Sequence, residues 1–301
     1  MKKGLLILFV TISLAAGAQK KRVPQKEINE AGRIRALELV AGERNTLEQS
    51  SFWPHITPSA FLDNLKRNIE YPLKINNGRS TNFCAFGAIT YTCLKNEPFR
   101  YTISMLNLYK NGESYYRLAT LRPSQTIKDA AGLMMFQGDL DIQPADQMWF
   151  LCLANRFKGY LNFFNRKYDK GDENTMWAAT NLAKFNRMLR KMCKYKVQSK
   201  GSDLLKPKIN NLPDFLEQKL NAGEVYLYLN NAILRKKNHN RIKKRIPTHY
   251  VALTGIEKNN DRIVIKYWDG GYKTLKEVTL HSLKQIIYGV SWVNYKEENN
   301  E

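Results

Sequence analysis

The residue types best suited to chemistry in this 301-residue chain are a cysteine, a histidine and an aspartate that lie far apart in sequence. Cys84 sits in Asn82-Phe83-Cys84-Ala85-Phe86-Gly87-Ala88, where polar residues from Asn76 to Asn82 give way to an apolar run. That pattern puts the sulfur at a helix N-terminus, where the positive end of the dipole favours a thiolate and so suits a nucleophile. His249 opens an apolar strand running to Ile256. A second strand ends in Tyr267-Trp268-Asp269-Gly270-Gly271, and Lys258-Asn259-Asn260-Asp261 between the two reads as a turn. Antiparallel strands joined there place the start of the first opposite the end of the second, so His249 and Asp269 are expected to meet. A carboxylate beside an imidazole fixes its tautomer and stabilises its charged form.

The elements that must position these residues divide along the chain. Helices are expected over Ile28–Val40, Ser59–Ile69, a stretch from Thr81, 144–164 from Pro144, Met176–Met192 and Leu212–Ala222. Arg100–Tyr109 and Ser114–Leu121 are rich in β-branched and aromatic residues around Asn111-Gly112, which predicts a hairpin; residues 198–213 read as a loop. Period-two patterns predict strands at Glu224–Asn230, His249–Ile256, Arg262–Trp268 and Tyr288–Tyr295. Helices first and strands later imply the α+β class, a helical N-terminal lobe packed on an antiparallel sheet lobe.

Composition places limits on function. Lys2 and Lys3, the apolar run Leu5–Ala16 and the small residues Ala16-Gly17-Ala18 form a signal-peptide pattern, with cleavage expected after Ala18. Residues 19–74 are expected as an N-terminal arm or pro-like segment and 75–301 as the main domain, secreted or periplasmic, with no further membrane-spanning run. The net charge is +21, or +19 without Lys2 and Lys3, which favours contact with an anionic surface or polymer. Seven lysines and arginines crowd the segment just before His249: Arg235, Lys236, Lys237, Arg241, Lys243, Lys244 and Arg245. They are expected to form a basic loop near the cleft mouth that holds an anionic substrate or surface, or else a solvated loop. Cys93, Cys152 and Cys193 complete the thiol count without any C-x-x-C spacing, so they are buried thiols or disulfide partners, and neither metal nor cofactor is expected. No carboxylates cluster at metal-binding spacing, which argues against a nuclease, and no specific nucleic-acid partner is expected.

Taken together, the Asn-Phe-Cys-Ala helix start, the His-Tyr-Val-Ala-Leu-Thr-Gly strand and the strand ending Tyr-Trp-Asp-Gly-Gly resemble the papain-like cysteine peptidase superfamily, with the segment order of the calpain-type core. The resemblance covers roughly residues 75–295. It implies a papain-like fold in which Cys84 is the nucleophile, His249 the general base and acid, and Asp269 stands where many relatives carry Asn. It further implies an exported hydrolase that cleaves an amide bond in a protein or cell-wall peptide. Relatives place a Gln six residues before the nucleophile as an oxyanion donor; here that position is Gly78. Asn77, Asn76 or Asn82 could substitute, together with the backbone N–H of Cys84. The alternative is a catalytically inactive papain-like protein that binds an anionic polymer or surface.

Overall fold

The computed structural model describes residues 29–298, except 79, 136–137, 139–141, 162–165, 231–246 and 261. In the first half, α1 (Glu30–Glu43) and α2 (Pro58–Glu70) are started by local chemistry. The side chains of Asn29 and Thr57 accept the Gly32 and Ala60 N–H groups, and Pro58 occupies the first helical position, where no N–H is needed. Residues expected as a separate arm thus supply Ala36, Val40, Trp53, Phe61 and Leu65 to the main helical core. The next helices are α3 (Cys84–Asn96) and α4 (Pro98–Asn111).

Helix α4 replaces the first strand of the expected hairpin. Pro98 starts it, and Tyr101, Met105, Leu108 and Tyr109 recur at helical spacing on its buried side. Tertiary packing on α1 therefore overrides the strand propensity of the Tyr and Ile residues. Asn111-Gly112, read as a hairpin turn, instead ends the helix: Gly112 is left-handed at φ 67° and donates its N–H to the Leu108 carbonyl at 3.0 Å. The hairpin that does form is smaller, β1 (Ser114–Tyr116) with β2 (Ala119–Leu121).

After α5 (Gln125–Ala130) and α6 (Pro144–Phe157) comes α7 (Leu182–Met192), shorter than expected because the Asn181 side chain caps it at the Lys184 N–H. The residues before it, 172–174, form a single 3₁₀ turn. Strand β3 (Tyr195–Gly201) overlaps the expected loop, then α8 (Leu212–Ala222) leads into β4 (Gly223–Leu229). The remaining elements are β5 (His249–Asn259), β6 (Arg262–Asp269), β7 (Tyr272–Thr279), α9 (Leu280–Ile286) and β8 (Ile287–Glu298).

Six strands form one antiparallel sheet in the order β3-β8-β4-β5-β6-β7. Alternation along each strand serves two cores. Tyr226, Tyr228, Tyr250, Ala252 and Trp268 face the helices of the first half, while Val225, Leu227, Val251, Leu253 and Tyr267 join Leu212 and Leu216 of α8. The class is therefore α+β, with a helical region against an antiparallel sheet.

Gly112→Ala is expected to lower stability by about 1–3 kcal/mol, because the left-handed backbone strains a side chain there. The added Cβ would also lie 2.5 Å from the Phe52 ring. Urea unfolding of the two proteins checks this; equal midpoints would contradict the cap assignment.

Candidate active site

Cys84 is the first residue of α3, and its approach is fixed from both sides. Phe83, fully buried, packs on Phe150 and Phe86 at centroid distances of 5.7 and 6.0 Å. Asn82 donates its backbone N–H to the Glu173 carbonyl at 2.7 Å and its side-chain amide to the Thr175 carbonyl at 2.8 Å. The first helical hydrogen bond runs from the Gly87 N–H to the Phe83 carbonyl, so the N–H groups of Cys84 to Phe86 have no helical acceptor. Cys84 itself is half-buried.

The sheet brings the other two residues to this helix end. Gly87 and Tyr91 lie on the Cys84 face of α3, three and seven residues on. Trp268 stacks flat on Tyr91 at 5.5 Å and fills the space a Gly87 side chain would take; its indole N–H reaches the Leu73 carbonyl at 3.0 Å. Asp269 follows directly. It pairs with Tyr272 across a two-residue turn, and Gly270 (φ 56°) and Gly271 (φ 94°) supply the positive φ values that such a turn demands. An irregular register between Leu253 and Gly255 shifts β5 against β6, and β5 begins at His249. The result is a contact of 2.5 Å between His249 Nε2 and Asp269 Oδ1.

With Nε2 taken by Asp269, Nδ1 is the ring nitrogen left for the Cys84 sulfur, which also interacts with the imidazole. His249 is only 9% exposed. Burial by itself disfavours the charged ring, but the Asp269 hydrogen bond and then Cys84 overcome it and raise the pKa to about 10. The ring therefore stays protonated through neutral pH.

The other thiols have a different character. Burial pushes the Cys93 thiol up to about 12, and it raises Cys152 and Cys193 as well. All four sulfurs are free. Gln147, near Cys152, is consumed structurally: it accepts from Gly132 and Met134 and donates to the Met134 and Ile142 carbonyls.

Of the expected oxyanion groups, Asn82 has its amide engaged with Thr175, and Asn76 accepts the Gly78 N–H at 3.0 Å. Asn77 is buried against Gly87 and Gly270, between α3 and the Asp269 turn, and its Oδ1 has no hydrogen-bond partner. The basic residues Arg235, Lys236, Lys237, Arg241, Lys243, Lys244 and Arg245 lie outside the described residues, as do residues 1–28. Gly87 and Trp268 were not singled out from sequence. A glycine one turn after the cysteine, together with the tryptophan preceding the aspartate, was the available signal.

Among the described residues no group of three or more His, Cys, Asp or Glu could hold a metal ion. No protein-family model matches the chain, and no curated protein is significantly similar to it.

Asp269→Asn should lower the His249 titration midpoint by about 1–3 pH units, since burial would no longer be opposed by a carboxylate. In the native chain the contribution of His249 to stability is fully present below the unfolded histidine value of 6.5 and is lost as pH rises through about 10. Imidazole NMR of both proteins checks the midpoint; an unchanged value would remove Asp269 from its role.

Proposed function

We propose that the chain is an exported cysteine hydrolase of papain-like type, acting on an amide bond of a protein or cell-wall peptide. The observation that carries this reading is the arrangement Cys84–His249–Asp269: a half-buried cysteine at a helix N-terminus, beside an imidazole kept charged by a part-buried carboxylate contact. Attack of the Cys84 thiolate on the carbonyl carbon forms a tetrahedral adduct, and its oxygen accepts from the Cys84 backbone N–H, which has no acceptor within the helix. His249 gives its proton to the leaving amine, which departs and leaves a thioester. The ring then takes a proton from water, and the resulting hydroxide attacks the thioester, releasing the acid and restoring the thiolate–imidazolium pair. Asp269 accepts from the ring and holds it in place. Export rests on the leader pattern of residues 1–18, and among the described residues no helix is long and apolar enough to cross a membrane.

The second reading is an inactive scaffold that binds an anionic polymer. Gly78 at the usual donor position and the commitment of Asn82 to Thr175 favour it. Turnover of a fluorogenic peptide-amide library separates the two. Cys84→Ala should reduce hydrolysis by about 10⁴-fold or more while circular dichroism and unfolding stay unchanged. Full activity in that variant would overturn the hydrolase reading, and an inert wild-type chain would favour the scaffold.

A further inference from the structure

A second feature lies away from Cys84, in the loop joining β3 to α8. Leu204 is 85% exposed and Leu205 74%. The loop does not fold these leucines inward, because its backbone is tied the other way. The Ser202 hydroxyl accepts the Leu204 and Leu205 N–H groups at 3.2 and 2.8 Å, and the Ser202 N–H donates to the Leu205 carbonyl. At the loop's root, Asp203 accepts the Leu182 N–H at 3.0 Å, at the first residue of α7.

Cations and a groove adjoin the leucines. Lys206 and Lys208 follow in sequence, and a cavity of about 440 Å³ behind them is lined by Pro207, Ile209, Leu212 and Ile287 with Lys208 and Lys284. Lys206 is held by the neutral Gln285 amide and Lys284 by the Asn210 carbonyl. Among the described residues no ion pair engages Lys206, Lys208 or Lys284. No acidic residue occurs from 204 to 213, and Asp214 is paired with Lys258. The patch therefore combines outward apolar side chains with unneutralised positive charge, in a chain of net +21.

We propose that this loop and groove dock the protein on an anionic phospholipid bilayer. The patch complements such a surface in two ways. Exposed leucines gain from entering the acyl boundary, at a depth of about 5–10 Å, where a purely polar polymer offers them nothing. The lysines flanking them sit at the depth of the phosphates, and each strengthens partitioning onto an anionic surface by roughly five-fold. The inference is independent of the chemistry at Cys84.

Co-sedimentation of the full chain with vesicles tests it, using phosphatidylglycerol–phosphatidylcholine mixtures and phosphatidylcholine alone. The phosphatidylcholine arm reads any binding through the apolar stretch Leu5–Ala16, which both vesicle types would share. The expected result is binding to anionic vesicles that weakens with salt. It should fall by about ten-fold or more in a Leu204→Ser, Leu205→Ser double variant. Lys206→Glu with Lys208→Glu should lower it further, with unfolding midpoints unchanged in both variants. Wild-type binding to anionic vesicles by the double leucine variant would overturn the proposal. So would retention of the chain on dextran sulfate with no preference for anionic vesicles. A concentration-dependent dimer that the leucine variant abolishes, without vesicle binding, would assign the patch to a second copy of this chain instead.

Discussion

The site depends on keeping an imidazole charged in a place that water hardly reaches. Burial alone would drive the proton off His249, and only a fixed opposite charge and the neighbouring sulfur reverse that tendency. Asp269 must therefore be held where the ring meets it. Much of the C-terminal sheet can be read as the means: a strand beginning at His249, a register irregularity at Leu253–Gly255, and a two-glycine turn that fixes Asp269 at the strand end. Trp268 then ties that strand end to the Gly87 and Tyr91 face of α3, on which Cys84 sits. A side chain at Gly87 would push the two halves of the site apart.

The same arrangement separates Cys84 from the other three thiols. Cys93 and Cys152 are surrounded by protein, and burial holds Cys93, Cys152 and Cys193 as neutral thiols. Cys84 alone combines a helix N-terminus with a charged imidazole. Its neighbours in sequence are anchored rather than reactive: Phe83 in the aromatic core, Asn82 on the 172–175 turn. Asn82 and Phe83 thereby fix the chain that leads into a half-buried cysteine.

The pairing of His249 with Asp269 was legible because it required only a hairpin with a turn near residue 260, and hairpin geometry follows from local pattern. Buried central strands were legible for a similar reason, since β4 alternates between two cores and every residue is apolar or paired. The edge strands were not. β3, with Lys-Val-Gln-Ser-Lys, and β7, with Tyr-Lys-Thr-Leu-Lys-Glu, are polar because they face solvent, so nothing in composition separates them from loops. The misread of α4 has the opposite cause. Tyr101, Thr102 and Ile103 carry strand propensity, but Pro98 and Gly112 bracket a helix and the packing against α1 decides the outcome. Contacts that join distant segments, such as Asn77 against Gly270 and Trp268 against Gly87, carry no local signal.

The central claim is that Cys84 and His249 act as one unit, and it is tested most directly by the rate of alkylation with iodoacetamide across pH 4 to 9, located by mass spectrometry. The account predicts that Cys84 is modified much faster than the other three thiols at neutral pH and below, and that His249→Ala removes the difference. A Cys84 that reacts only at alkaline pH, at the same rate with or without His249, would contradict it.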